Sequence, residues 1–220
     1  NLLRDLKRST EALQGYDRVL QLSPMNSGAH SNKGLIFHEL GQTRKSLAAF
    51  QKATQCESPS WEVYFNYGNA LKDFGRFRQA VENYEIAASL NPLSAELAYN
   101  LGKVFFQQRS FKKAISKFEL ANKLNSPGKN TATSGQASIL SYKDSNSFIL
   151  RSLYHLTDAD SFHQKYKSLL KIGENNATIG SLGCQAEKKY GINLDNPFCK
   201  NPLDFAVCLD IRKSCDFERL

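Results

Sequence analysis

No run of eighteen or more apolar residues occurs in this chain, so it has no material for a membrane-spanning helix, and no membrane partner is expected. Cysteine is sparse and odd in number: Cys56, Cys184, Cys199, Cys208 and Cys215, with no C-x-x-C pair. That count argues against both a disulfide framework and a zinc site, and it points to a reducing cytoplasm. The opening Asn1-Leu2-Leu3-Arg4-Asp5 lacks the basic-then-apolar order of a secretory signal. Because the chain begins inside a repeat, this says little about its location. Also missing are a Walker loop, a G-x-G-x-x-G string and a G-x-S-x-G elbow, which removes the common nucleotide and hydrolase chemistries. His155, Asp158, Asp160 and His163 lie around one helix turn without a supporting motif, and no histidine neighbours Cys199, Cys208 or Cys215. Buried thiols are the simpler reading of those three. No catalytic residue, metal ligand or cofactor is therefore assigned.

Charge of one sign is present but dispersed. The net charge is +8, from 29 basic and 21 acidic residues, which invites a polyanionic partner. Up to Pro127 there are 17 Lys and Arg against 11 Asp and Glu, and the remainder holds 12 against 10. Only Arg109, Lys112, Lys113, Lys117 and Lys123 form a row. On one helix such a row is ordinarily a solvated face, so a nucleic-acid partner is disfavoured.

What the sequence does contain is a period. Gly34, Gly68 and Gly102 are separated by 34 residues, and other positions recur with them. In Ser27 to Ser60 they are His30, Gly34, Phe37, Ser46, Phe50 and Ala53, with Pro59. In Trp61 to Ser94 they are Tyr64, Gly68, Leu71, Ala80, Tyr84, Ala87 and Pro92. In Ala95 to Gly128 they are Ala98, Leu101, Gly102, Phe105, Ala114, Phe118, Ala121 and Pro127. Upstream, Ala12, Tyr16, Val19 and Pro24 fit the second helix of a partial repeat. Small residues at two positions let paired helices approach, aromatics fill the space between hairpins, and Gly41, Gly75 and Arg109-Ser110 mark the turns inside them.

This pattern resembles the tetratricopeptide family over about the first 127 residues. The resemblance implies an all-α solenoid of helix-turn-helix repeats: a partial repeat in 1–26, and complete ones in 27–60, 61–94 and 95–128. It further implies a concave face used for extended protein or peptide partners. By the same resemblance Asn32, Asn66 and Asn100 face that groove, similar to the asparagine ladder of O-linked N-acetylglucosamine transferases. An amide can pair with both N–H and C=O of a bound backbone. The competing reading is that asparagine here serves local hydrogen bonding. Leu35, His38 and Glu39, then Phe65, Asn69 and Lys72, then Tyr99, Lys103 and Phe106 lie beside them and suggest a partner with apolar and acidic side chains. Ser31, Phe65 and Tyr99 stand where a carboxylate clamp for chaperone tails needs lysine, which disfavours that ligand.

Beyond Pro127 the rhythm fails. Residues 129–146, rich in Gly, Ser, Thr, Asn and Lys, read as a linker. Residues 147–191 read as a helical capping region with three helices, around Phe148 to Leu156, around Phe162 to Leu170 with Asp158 or Asp160 as cap, and from about Asn176 to Tyr190. Residues 192–220 read as an extended tail. The run Asn196-Pro197-Phe198-Cys199-Lys200-Asn201-Pro202-Leu203-Asp204-Phe205, with Cys215-Asp216-Phe217-Glu218, is similar to a segment preceding the oxygenase domain in some bacterial 2-oxoglutarate/Fe(II) proteins. That resemblance implies a non-catalytic, substrate-recognising front of a longer enzyme, because none of the four histidines heads an H-x-D or H-x-E motif.

Overall fold

A computed structural model describes residues 2–125, 137–171, 177–191 and 194. The described residues form ten α-helices and no strand. They divide into an N-terminal unit, Asn1–Gln108, and a C-terminal unit, Arg109–Leu220. The third repeat straddles that division, its first helix closing one unit and its second opening the other.

The N-terminal unit comprises α1 (Leu2–Leu22), α2 (Ser27–Glu39), α3 (Thr43–Thr54), α4 (Trp61–Asp73), α5 (Phe77–Leu90) and α6 (Ala95–Gln107). Helices α2 and α3 pair as one hairpin and α4 and α5 as the next, with α3 against α4, α2 against α4, and α6 on α5. The turn chemistry explains the hairpins. Gly41 and Gly75 adopt φ of +68° and +74°, conformations that cost a residue with a Cβ about 1–2 kcal/mol. Around each, the chain closes a Schellman motif: Gln42 N–H donates to the Phe37 carbonyl at 2.8 Å, and Arg76 N–H to that of Leu71 at 2.8 Å. Asn26 caps α2 by accepting from Ala29 N–H at 2.8 Å, and Ser94 caps α6 by accepting from Leu97 N–H.

Glycine at the periodic position has a measurable cause. A Cβ on Gly34 would come within 2.9 Å of the Phe50 ring, and one on Gly68 within 2.7 Å of Tyr84. Each aromatic therefore lies flat on the backbone of its partner helix, and Phe50 and Tyr84 are fully buried. Ser46, the small residue of the first hairpin, adds a hydroxyl donated to the Gly34 carbonyl at 2.9 Å. Between hairpins, Phe50 stacks on Tyr67 with ring centroids 5.8 Å apart. Burial shared with the next repeat in this way is what lets a stack of hairpins form a core that one hairpin cannot.

The C-terminal unit comprises α7 (Phe111–Leu124), α8 (Ala137–Leu156), α9 (Ala159–Lys171) and α10 (Ala177–Tyr190). Helices α7 and α8 pair closely, with Phe118 stacked on Phe148 at 5.1 Å, and α9 and α10 pack on α8. Ile149, Leu150, Phe162, Tyr166 and Ile179 form the centre. Asp158 caps α9 by accepting from Ser161 N–H at 3.0 Å.

Two expectations need correction here. Helix α8 begins at Ala137, inside the segment read as a linker. Its Ser145, Asn146 and Ser147 are buried, and Asn122 on α7 donates to the Asn146 side chain at 3.1 Å. Composition suggested a loop, but packing against α7 overrides propensity. Second, Cys184 on α10 is disulfide-bonded, while Cys56 is a buried free thiol. The argument from cysteine count against disulfides therefore fails at Cys184, and the inference to a reducing cytoplasm loses its basis. Of the tail expected at 192–220, all but Leu194 lies outside the described residues.

Candidate protein-binding face

Of the residues expected in a groove, Asn32, Leu35 and His38 are on α2, Phe65, Asn66, Asn69 and Lys72 on α4, and Tyr99, Asn100, Lys103 and Phe106 on α6. The first two sets are brought together because α2 and α4 lie side by side. The third is carried by a helix docked on α5.

The side chains differ in how available they are. Asn32 is exposed and Asn66 half-buried, and neither amide has a hydrogen-bond partner among the described residues. Asn100 donates its amide to the Glu96 carbonyl one turn earlier, at 3.0 Å, which is the local role weighed against the ladder. Asn69 accepts from the buried Tyr84 hydroxyl at 2.6 Å. That bond ties the two helices of the second hairpin together and removes an acceptor from the face. Burial, with lesser contributions from Asp73 and Glu96, holds the Tyr84 hydroxyl far above its usual titration range. Phe65 is buried, with its ring 5.9 Å from Tyr84 and 6.0 Å from Trp61. It is a core residue rather than an exposed anchor: the register that points one side of α4 outward turns Phe65 toward α5.

Charges on this face are organised by a residue the sequence reading passed over. Asp73, at the end of α4, lies 3.4 Å from His38 Nε2 and 3.4 Å from Lys72 Nζ. His38 also packs edge-on to Phe74 at 5.2 Å. Lys33 on α2 pairs with Asp17 on α1. On α6, Lys103 sits over the Tyr99 ring, 5.6 Å from its centroid. A Lys-Asp step at a helix end is the one sequence signal that pointed to Asp73, and only helix adjacency supplies His38 as its second partner.

The C-terminal unit has an open cleft of about 440 Å³ between α7, α8 and α9, floored by Ile149 and Leu153 and rimmed by Glu119, Gln164 and Lys165. Its Ser168 hydroxyl is committed to the Lys165 carbonyl. Among the described residues no three His, Cys, Asp or Glu side chains are placed to hold a metal ion, and no helix is long and apolar enough to cross a membrane.

The tetratricopeptide-repeat family matches residues 27–56 and 65–127. No curated protein matches the sequence. Among solved structures, the chain is similar to YrrB, a tetratricopeptide-repeat protein with an unusual peptide-binding site, at a TM-score of 0.63 and 16% identity, over 81% of this chain and 85% of that one. It is similar to MamA at 0.62 and 20%, over 78% and 92%. Similarity to pilF of Pseudomonas aeruginosa reaches 0.64 and 20%, over 96% and 87%. At these identities the likeness concerns the fold, and none of these matches supports the oxygenase resemblance. With glycine packed on aromatic in consecutive hairpins, and with the family matching across them, the chain carries tetratricopeptide repeats at residues 27–56 and 65–127.

Proposed function

We propose that the N-terminal unit is a scaffold that holds an extended segment of a partner protein along α2 and α4. The observation that carries this reading is the pair Asn32 and Asn66. They stand at the same register of adjacent helices with amides that no group in the described residues satisfies. An amide offers a donor and an acceptor, so two in line suit the N–H and C=O of an extended backbone without specifying its sequence. Leu35 and Tyr99 offer apolar contact, and Lys103 offers positive charge near the Tyr99 ring. The peptide-binding site named for YrrB is consistent with such a use of the fold. Asn69 and Phe65 belong to the framework in this proposal, and Asn100 takes part only by giving up its bond to Glu96.

The test is a random 12-residue peptide library displayed against the full chain, followed by the double variant Asn32→Ala, Asn66→Ala. Selected peptides are expected to lose at least tenfold in affinity while the melting temperature moves little. Peptides that bind the double variant as well as the parent would remove the ladder.

A further inference from the structure

The division of the chain at Arg109 redistributes its charge. The N-terminal unit has 12 Lys and Arg against 10 Asp and Glu, and the C-terminal unit has 17 against 11. In the N-terminal unit cations meet carboxylates, as in Lys33 with Asp17, Lys72 with Asp73 and Arg78 with Glu82. In the C-terminal unit Arg109, Lys112, Lys117, Lys123 and Arg151 have no ion-pair partner among the described residues.

The structure also gathers several of them at one end of the unit. His155 on α8 stacks on Phe111, the first residue of α7, with centroids 4.8 Å apart and planes within 9°. Arg109 stands two residues before Phe111 and Lys112 directly after it, and Arg151 is one turn before His155. Lys189, near the end of α10, donates to the Tyr154 carbonyl at 2.6 Å and lies 4.0 Å from the Tyr154 ring centroid. Tyr190 reaches the same carbonyl at 3.1 Å. Arg109, Lys189 and Arg151 thus lie within electrostatic reach of the His155 ring, and Lys112 faces Asp158, the nearby carboxylate, which is also engaged with Ser161. His155 feels that field: its ring titrates below the usual range, first through its packing and then through Arg109, Lys189 and Arg151.

We propose that this end of the C-terminal unit binds single-stranded nucleic acid, its phosphates held by Arg109, Lys112 and Arg151 and a base placed against His155. Unpaired cations would suit any polyanion. The rings among them favour a nucleic acid over an acidic peptide, because bases have π-faces to stack and carboxylate side chains do not. This surface shares no residue with the peptide-binding face of α2 and α4, and the two proposals stand or fall separately.

The experiment is fluorescence anisotropy of the full chain with a labelled 20-nucleotide oligo-dT, and with a labelled 20-residue poly-glutamate, at 50 to 200 mM NaCl. With three phosphates neutralised, log Kd should change with log salt at a slope near 2, a weakening of about 20-fold over that range. The triple variant Arg109→Asn, Lys112→Gln, Arg151→Gln should lower the slope by about 2. Asparagine is chosen at position 109 because Arg109 has φ +57°, which asparagine tolerates. The variant His155→Ala should weaken binding about fivefold or more at every salt concentration. Should the triple variant lose helicity, the parent slope and His155→Ala still decide. A salt-independent affinity, no effect of either variant, or poly-glutamate bound as tightly as oligo-dT would each overturn the proposal.

Discussion

At the scale of single residues, the chain's glycines have opposite expected responses to the same change. Adding a methyl at Gly68 drives it into the Tyr84 ring, so Gly68→Ala is expected to cost about 1–3 kcal/mol despite the better helix propensity of alanine. Gly15, in α1, has nothing within 4 Å of such a methyl, and Gly15→Ala should stabilise by about 0.5–1 kcal/mol. Urea unfolding of the two variants checks both signs. Tyr84→Phe should cost about 1 kcal/mol in the same assay, because it leaves the Asn69 oxygen without its donor. His155 provides a pH test. Its folded-state pKa lies below the ordinary value of about 6.5, so the folded chain binds this proton less readily than the unfolded chain. Its contribution to stability is therefore present above that value and lost as pH falls through the window beneath it. An NMR titration should find His155 below the ordinary range and moving up toward it in Arg151→Gln.

At the scale of elements, the hairpin turns show how much of the design is local. Two turns use glycine in the left-handed region, and the third places Arg109 there at φ +57°. Arg109→Gly is expected to stabilise by about 1 kcal/mol, read from thermal or urea unfolding, since glycine adopts that conformation without strain. These turns were legible in sequence because the glycines recur with the period. Helix α8 was not. Its first half carries the Ser and Asn of a loop, and it is helical because Ser145, Asn146 and Ser147 are small enough to be buried against α7, with Asn122 to pair with Asn146. The face of α4 was half legible: Asn66 and Lys72 could be placed by analogy with the repeat, but Phe65 turns inward against Tyr84 and Trp61. Period alone cannot resolve which of two neighbouring positions points in.

At the scale of the molecule, the chain combines repeats with a C-terminal unit of different chemistry, whose described residues form four helices. The disulfide at Cys184 belongs to that unit, and it constrains the unfolded chain more than the folded one. Reductant is therefore expected to lower the melting temperature, and alkylation without reduction should leave Cys184 unmodified, as peptide mass mapping would show. The sequence by itself determined the repeats: their period, their turns and the packing of Gly34 beneath Phe50 and of Gly68 beneath Tyr84. These follow from contacts within one hairpin, whose partners are a fixed number of residues apart. Only the tertiary structure decided which asparagines keep free amides, that Asp73 gathers His38 and Lys72, and that Arg109, Arg151 and Lys189 share one end of a bundle. Those groups are far apart in the chain or differ by one step of helix register, and a linear pattern contains no term for the neighbour that another helix brings.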